Sequence, residues 1–211
     1  MTCAICKTRR PRRFCPGVKG EICTVCCGQE REVTVTCPFD CQYLVESRKH
    51  DQPLVTSDGE LSNPDIKVNR KTLEGTEDLW FFTGRLLLVA SIATHGAVDS
   101  DVREALEALI RTYRTLQSGV LFESVPENAL AATIFREVQK GLARFREEEA
   151  KHLGMPRTRD SHVLVILVMF HRLAVESNNG RPRGRAFLSE LLKEHGVSQP
   201  SPPSPSSLIL P

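Results

Sequence analysis

Cys3-Ala-Ile-Cys6, then Cys15-Pro-Gly-Val-Lys-Gly-Glu-Ile-Cys23-Thr-Val-Cys26-Cys27-Gly28, then Cys37-Pro-Phe-Asp-Cys41: all eight cysteines of the 211-residue chain fall within its first 41 residues. Zinc takes thiolates in a tetrahedron, and a structural site is closed by four protein ligands. Eight thiols therefore match two such ions, and each C-x2-C pair lets one tight turn present two sulfurs to the same ion. An even cysteine count also suits a disulfide-rich secreted module. The C-x2-C pairs, however, would close very small rings as disulfides, and in a reducing compartment clustered cysteines are metal ligands.

The division of eight ligands between two ions follows from Cys26 and Cys27. Adjacent side chains on extended backbone point in opposite directions, so these two cysteines are expected to serve different ions. That favours an interleaved order, with Cys3, Cys6, Cys23 and Cys26 on one zinc and Cys15, Cys27, Cys37 and Cys41 on the other. A sequential order, with Cys3, Cys6, Cys15 and Cys23 together and the remainder on the second ion, is the alternative. Glu32-Val-Thr-Val-Thr36 alternates and is β-branched, which predicts a short strand. Tyr43 to His50 reads as a short helix, with His50 a solvated terminal histidine.

Outward from this module the chain divides into a zinc-binding unit over 1–50, a linker over 51–75, a helical domain over 76–196 and a disordered tail over 197–211. The linker is rich in turn formers (Pro53, Asp58-Gly59, Asn63-Pro64, Gly75). The tail sets Pro200, Pro202, Pro203 and Pro205 among serines. No internal repeat is present. Between them the 3.6-residue periodicity predicts five helices.

The first runs from about Glu77 to His95, with Leu79, Phe82, Leu86, Val89 and Ala93 on its inner face. The second spans Asp99 or Ser100 to Leu116. The third is announced by a capping box, Ser124-Val-Pro-Glu127. The fourth opens at Asp160-Ser161 and carries Val163-Leu-Val-Ile-Leu-Val-Met-Phe170, a run that also suits a buried strand. The fifth covers roughly Arg185 to His195. The expected fold is mainly α: a small two-zinc module followed by an antiparallel bundle of about five helices, with the fourth helix central and Val165, Ile166 and Val168 among the least exposed residues.

Hydrophobic residues make up 40% and charged residues 26% of the chain, and the formal charge is +2. These values are ordinary for a globular protein and make no claim on nucleic acid or membrane. Met1-Thr2-Cys3 lacks the basic and apolar regions of a signal peptide, and Leu79 to Ala93 is too short to span a bilayer. A cytoplasmic location without membrane association is the expectation.

Cys15-Pro-Gly-Val-Lys-Gly-Glu-Ile-Cys-Thr-Val-Cys-Cys-Gly28 and Cys37-Pro-Phe-Asp-Cys-Gln-Tyr-Leu44, together with Arg181-Pro-Arg-Gly-Arg-Ala-Phe187, resemble an uncharacterised family of bacterial proteins. That resemblance implies a cysteine module joined to a helical domain and brings no established activity. More distantly, the interleaved cysteine order is similar to cross-brace modules of the HIT and MYND type, which mostly bind proteins. The spacing departs from theirs at Cys26-Cys27.

Two basic clusters are candidate contacts for anions or nucleic acid: Lys7, Arg9, Arg10, Arg12 and Arg13 between the first cysteines, and Arg181, Arg183 and Arg185 before the last helix. Residues 1–50 carry nine Lys/Arg against five Asp/Glu. Eight thiolates and two Zn²⁺ would bring the module to about zero net charge, so the same arginines also serve to offset the thiolates. Elsewhere, Glu149-Ala-Lys-His152 is half of a di-iron motif without a second copy, and its default is a solvated helix end. His162 and His171 flank the fourth helix on nearly opposed faces, as boundary or core residues. Asp160 and His162 could pair, but no nucleophile is placed by sequence.

The reading that follows is a zinc-binding protein, not an enzyme, with two structural zinc ions and an unidentified protein partner. A nucleic-acid-binding protein using loop 7–13 is the alternative, and a metal-dependent enzyme is third.

Overall fold

The computed structural model describes residues 2–50 and 62–196. The expected linker residues 51–61 and the expected tail 197–211 lie outside them.

The chain is mainly helical. In the N-terminal module, β1 (Arg13–Cys15) and β2 (Gly20–Ile22) pair as a small antiparallel hairpin, with Arg13 opposite Ile22. The preceding loop is stitched onto it, Ala4 N donating to Glu21 O and Arg12 N to Ile22 O. α1 (Thr24–Glu30) and α2 (Gln42–Arg48) follow. The expected strand over 32–36 does not form. The segment makes a tight return anchored by Glu30 O, which accepts from the amides of Val33, Thr34 and Val35, and only an isolated bridge joins Arg31 and Val35. Glu32 takes φ 52° there and buries its side chain, so β-branching at Val33, Thr34 and Val35 is overruled by a turn.

α3 (Arg70–Leu73) precedes five longer helices: α4 (Glu77–Ala93), α5 (Asp99–Gln117), α6 (Ala129–Leu153), α7 (Asp160–Glu176) and α8 (Ala186–His195). The apolar run in α7 is thus helical, not a strand. α5 packs on α6, α7 and α8, and α4 on α6, α7 and α8. Residues 62–73 lie along the helices, with Ile66, Val68 and Leu73 against the core.

Three details differ from the periodicity. On α4, Val89 is 56% exposed, whereas Thr83, Leu87, Leu88 and Ala90 are buried. A helix apolar almost all round gives no reliable inner face, and close approach decides instead. A Cβ at Gly84 would run into the His195 ring, and one at Gly141 would run into Leu86, so α8 and α6 are brought onto α4 at these glycines. Val165 is only half-buried, although Ile166 and Val168 are fully so. Finally, α6 begins at Ala129, where Asn128 Oδ1 accepts from Leu130 N at 2.9 Å; the Ser124–Glu127 box does not cap it.

The module and the helices are joined by a buried polar junction. Glu32 is 1% exposed. Its carboxylate accepts from Arg48 Nη2 at 2.8 Å, Asn179 Nδ2 at 3.1 Å and the Arg185 amide at 3.0 Å. Its carbonyl accepts from Arg183 N at 2.8 Å. Arg181 donates to Arg31 O at 2.6 Å, and the Arg185 guanidinium lies 3.8 Å over the Phe39 ring. On the helical side, Asp99 of α5 accepts from Phe187 N at 2.9 Å and Leu188 N at 3.1 Å, capping the first turn of α8. No helix among the described residues is long and apolar enough to cross a membrane.

Candidate metal centre

The turn at Cys3–Cys6 that precedes β1 and the N-terminal turn of α1, which follows β2, bring four sulfurs together. The thiols of Cys3, Cys6, Cys23 and Cys26 lie within 4.8 Å of one another. A Zn–S bond of about 2.3 Å implies sulfur separations of about 3.8 Å in a tetrahedron, so a modest contraction onto an ion is all that is needed. Cys3, Cys23 and Cys26 are buried, and Cys6 is half-exposed.

Local hydrogen bonds favour the thiolate at two of these sulfurs, Cys6 and Cys23. Cys23 sits at the N-cap of α1, where its Sγ accepts from Cys26 N at 3.4 Å, and Cys3 Sγ accepts from Cys23 N at 3.2 Å. Cys6 is pulled down to about 5 by hydrogen bonds from Thr8 and Arg9. Cys23 is lowered by the Cys26 amide. Cys26 is pushed up to about 12 by desolvation and its thiol neighbours. Packing four sulfurs without a cation leaves one reluctant to ionise; a divalent cation at their centre removes that conflict, because the metal ligand is the thiolate.

This grouping is the interleaved one, and Cys15 stands apart from it. The reason is not the one expected from extended backbone. Cys26 and Cys27 both lie on α1, where successive side chains diverge by about 100°. Cys26 turns toward the first quartet. Cys27 turns to a second small cavity that Cys15, Cys37 and Cys41 also line, with Ile22, Tyr43 and Leu44 around them. Burial raises the Cys37 pKa, with Cys41 and Cys15 adding to the effect as nearby negative groups. Among the described residues only the first quartet forms a close ligand set.

The basic residues divide by role. Arg9 is held in its charged form by a hydrogen bond to the Cys23 thiol. Arg13 approaches Cys27 Sγ at 3.7 Å and stacks 4.0 Å over the Tyr43 ring. Both therefore serve cysteine sulfurs. Lys7, Arg10 and Arg12 are exposed. Arg181, Arg183 and Arg185 are turned toward the module, with Arg183 Nη1 on Thr36 Oγ1 at 2.9 Å, and do not form a free basic surface.

The remaining candidates have structural partners. Glu149 accepts from Arg157 N and from the amide and hydroxyl of Thr158, so it ties a loop, while the His152 side chain is 80% exposed. Asp160 pairs with Arg146 at 2.6 Å, not with His162. His50 is 79% exposed and approaches Glu46. Glu32 and Asp99 had no distinguishing sequence signal: one sits in a β-branched run and the other in an acidic first turn. Comparison with protein-family models, curated proteins and solved structures finds no match to this chain.

Proposed function

We propose that this chain is an intracellular zinc-binding protein whose metal module and helical domain together present a surface to a protein partner. The observation that carries the reading is the Cys3, Cys6, Cys23, Cys26 tetrad, with all four sulfurs within 4.8 Å. Four thiolates with no aspartate or histidine among them favour zinc, and four protein ligands leave no open position for a substrate, so the ion is structural. Cys15, Cys27, Cys37 and Cys41 hold a second zinc in this reading, supported by the cavity they share.

The partner reading is supported by the outer face of α4. Phe81, Val89 and Ile92 are 60%, 56% and 51% exposed. Phe81 adjoins an apolar groove of about 420 Å³ formed by Trp80, Met169, Leu173, Phe187 and Leu191. Exposed apolar surface of this kind marks interaction sites. The competing nucleic-acid reading rests on the exposed Lys7, Arg10 and Arg12.

Salt separates the two. Phosphate binding falls steeply with salt through counterion release, whereas an apolar interface weakens little. A partner captured at both 0.1 and about 1 M salt, lost after chelation and lost in Ile92→Asp, supports the proposal. Co-purifying nucleic acid that disappears when Arg10 and Arg12 become Ala, with no loss on Ile92→Asp, overturns it.

A further inference from the structure

Where α5 and α7 meet the segment that precedes α3, three polar side chains form a hydrogen-bonded relay that neither the cysteine module nor the junction uses. Ser62 Oγ lies 2.7 Å from His171 Nδ1, and His171 Nε2 lies 3.3 Å from Glu107 Oε1. With His171 neutral, one proton order satisfies both contacts. Glu107 accepts as a carboxylate, so His171 carries its proton on Nε2; Nδ1 is then an acceptor, and the Ser62 hydroxyl must donate to it. Asn63 Nδ2 donates to Ser62 Oγ at 3.0 Å from the opposite side. Ser62 and His171 both line a cleft of about 480 Å³, together with Glu107 and Arg111. His171 is itself only 4% exposed.

Anchoring does not require this arrangement. The segment after residue 61 is already held by Arg172, whose guanidinium donates to the carbonyls of Ser62, Asn63 and Ile66 at 2.8–2.9 Å. Arg114 adds Asn63 and Asp65, each at 2.8 Å. A buried imidazole aimed at a serine proton, with a carboxylate behind it, is the arrangement that activates a hydroxyl nucleophile.

We propose that Ser62, His171 and Glu107 constitute an acyl-transfer site that hydrolyses small carboxylic esters in this cleft, an activity separate from the zinc-dependent interaction. Ser62 Oγ bonds to the ester carbonyl carbon as His171 Nδ1 takes the hydroxyl proton. Asn63 Nδ2, 3.0 Å from Ser62 Oγ, is the donor offered to the oxyanion. Collapse breaks the bond to the alcohol oxygen, which leaves with the proton from His171. Water then attacks the acyl-serine with His171 again as base, releasing the carboxylic acid and returning the proton to Ser62. Ser62 and His171 are the catalytic residues, and Glu107 is a positioning residue.

Burial lowers the His171 pKa, with Arg103 acting in the same direction and Glu107 opposing. Asp65, Arg111 and Arg114 are the other charged groups on the cleft wall. The imidazole is therefore neutral, and a competent base, at neutral pH.

The test uses the full chain with 4-nitrophenyl acetate and a fluorophosphonate probe, followed by peptide mass spectrometry. The expected results are one adduct on Ser62, stoichiometric burst release of nitrophenol, and loss of both in Ser62→Ala. His171→Gln lowers the acylation rate by roughly 100-fold or more. Glu107→Gln keeps the Oε1 acceptor but removes the charge that favours imidazolium, so the acidic limb of the pH–rate profile moves to lower pH. Should His171→Gln fail to fold, Ser62→Ala and Glu107→Gln decide the matter, each checked by circular dichroism. No adduct at Ser62, or equal turnover in Ser62→Ala, overturns the site. An unmoved acidic limb in Glu107→Gln overturns the relay.

Discussion

Glu32→Ala is the substitution that best probes whether the metal module and the helices behave as one structure. The carboxylate is 1% exposed and accepts hydrogen bonds from Arg48, Asn179 and the Arg185 amide. Its removal leaves the Arg48 guanidinium, 12% exposed, without its counter-charge. Breaking a buried pair from one side costs about 3–5 kcal/mol. Alanine at φ 52° bears the same backbone strain as glutamate, so the loss comes from the polar contacts.

The effect should reach α8, since Glu32 binds the amide at that helix's N-cap, and α8 packs His195 against Trp80. Trp80, the chain's single tryptophan, stacks on Phe170 with ring centroids 4.2 Å apart and reports on the helical domain alone. The prediction is a fall of roughly 6–20 °C in the Trp80-monitored melting temperature, taking about 2–4 °C per kcal/mol for a chain of this size. Glu32→Gln, which keeps an acceptor, should cost less than half as much. A Trp80 transition that moves by less than about 0.5 kcal/mol while circular dichroism shows the module lost would refute the coupling.

Other perturbations follow from the same junction and its neighbours. Cys23→Ser should unfold the module and, through Glu32, also lower the Trp80 transition; an unmoved transition in tryptophan fluorescence would count against the junction. Asp99 is pushed up to about 6 from 3.8 by burial against α8. An acid raised on folding binds more protons folded than unfolded, so this group's contribution diminishes as pH rises from about 4 to 6. The stability of wild type relative to Asp99→Asn should therefore decline across that window by up to about 3 kcal/mol, measured by urea denaturation at each pH; a flat difference would count against the buried ionisation. Gly84→Ala should displace α8 and weaken the fold by about 1–3 kcal/mol, seen as a lower urea midpoint.

What the sequence could disclose depended on the kind of force involved. The long helices were legible from apolar periodicity, as in α5 through Val102, Leu106, Leu109 and Tyr113, or, in α4 and α7, from long apolar segments. The inner face of α4 was not, since Leu87 and Leu88 differ from Val89 only in what α8 and α6 happen to cover. The cysteine spacing pointed to the Cys3, Cys6, Cys23, Cys26 grouping, although the divergence of Cys26 and Cys27 arises on a helix instead of a strand. Glu32, Asp99 and the Ser62–His171 contact were hidden for a common reason. Each joins residues more than 80 positions apart, and no local pattern encodes a polar contact at that range.

The central claim is that the thiols are zinc ligands. Native mass spectrometry of the full chain, before and after chelator, tests it most directly. The account predicts two zinc ions per chain, one after Cys15→Ser, and eight free thiols once the metal is stripped. A chain that carries no metal when purified with zinc present, or one whose cysteines are paired as disulfides, would contradict it.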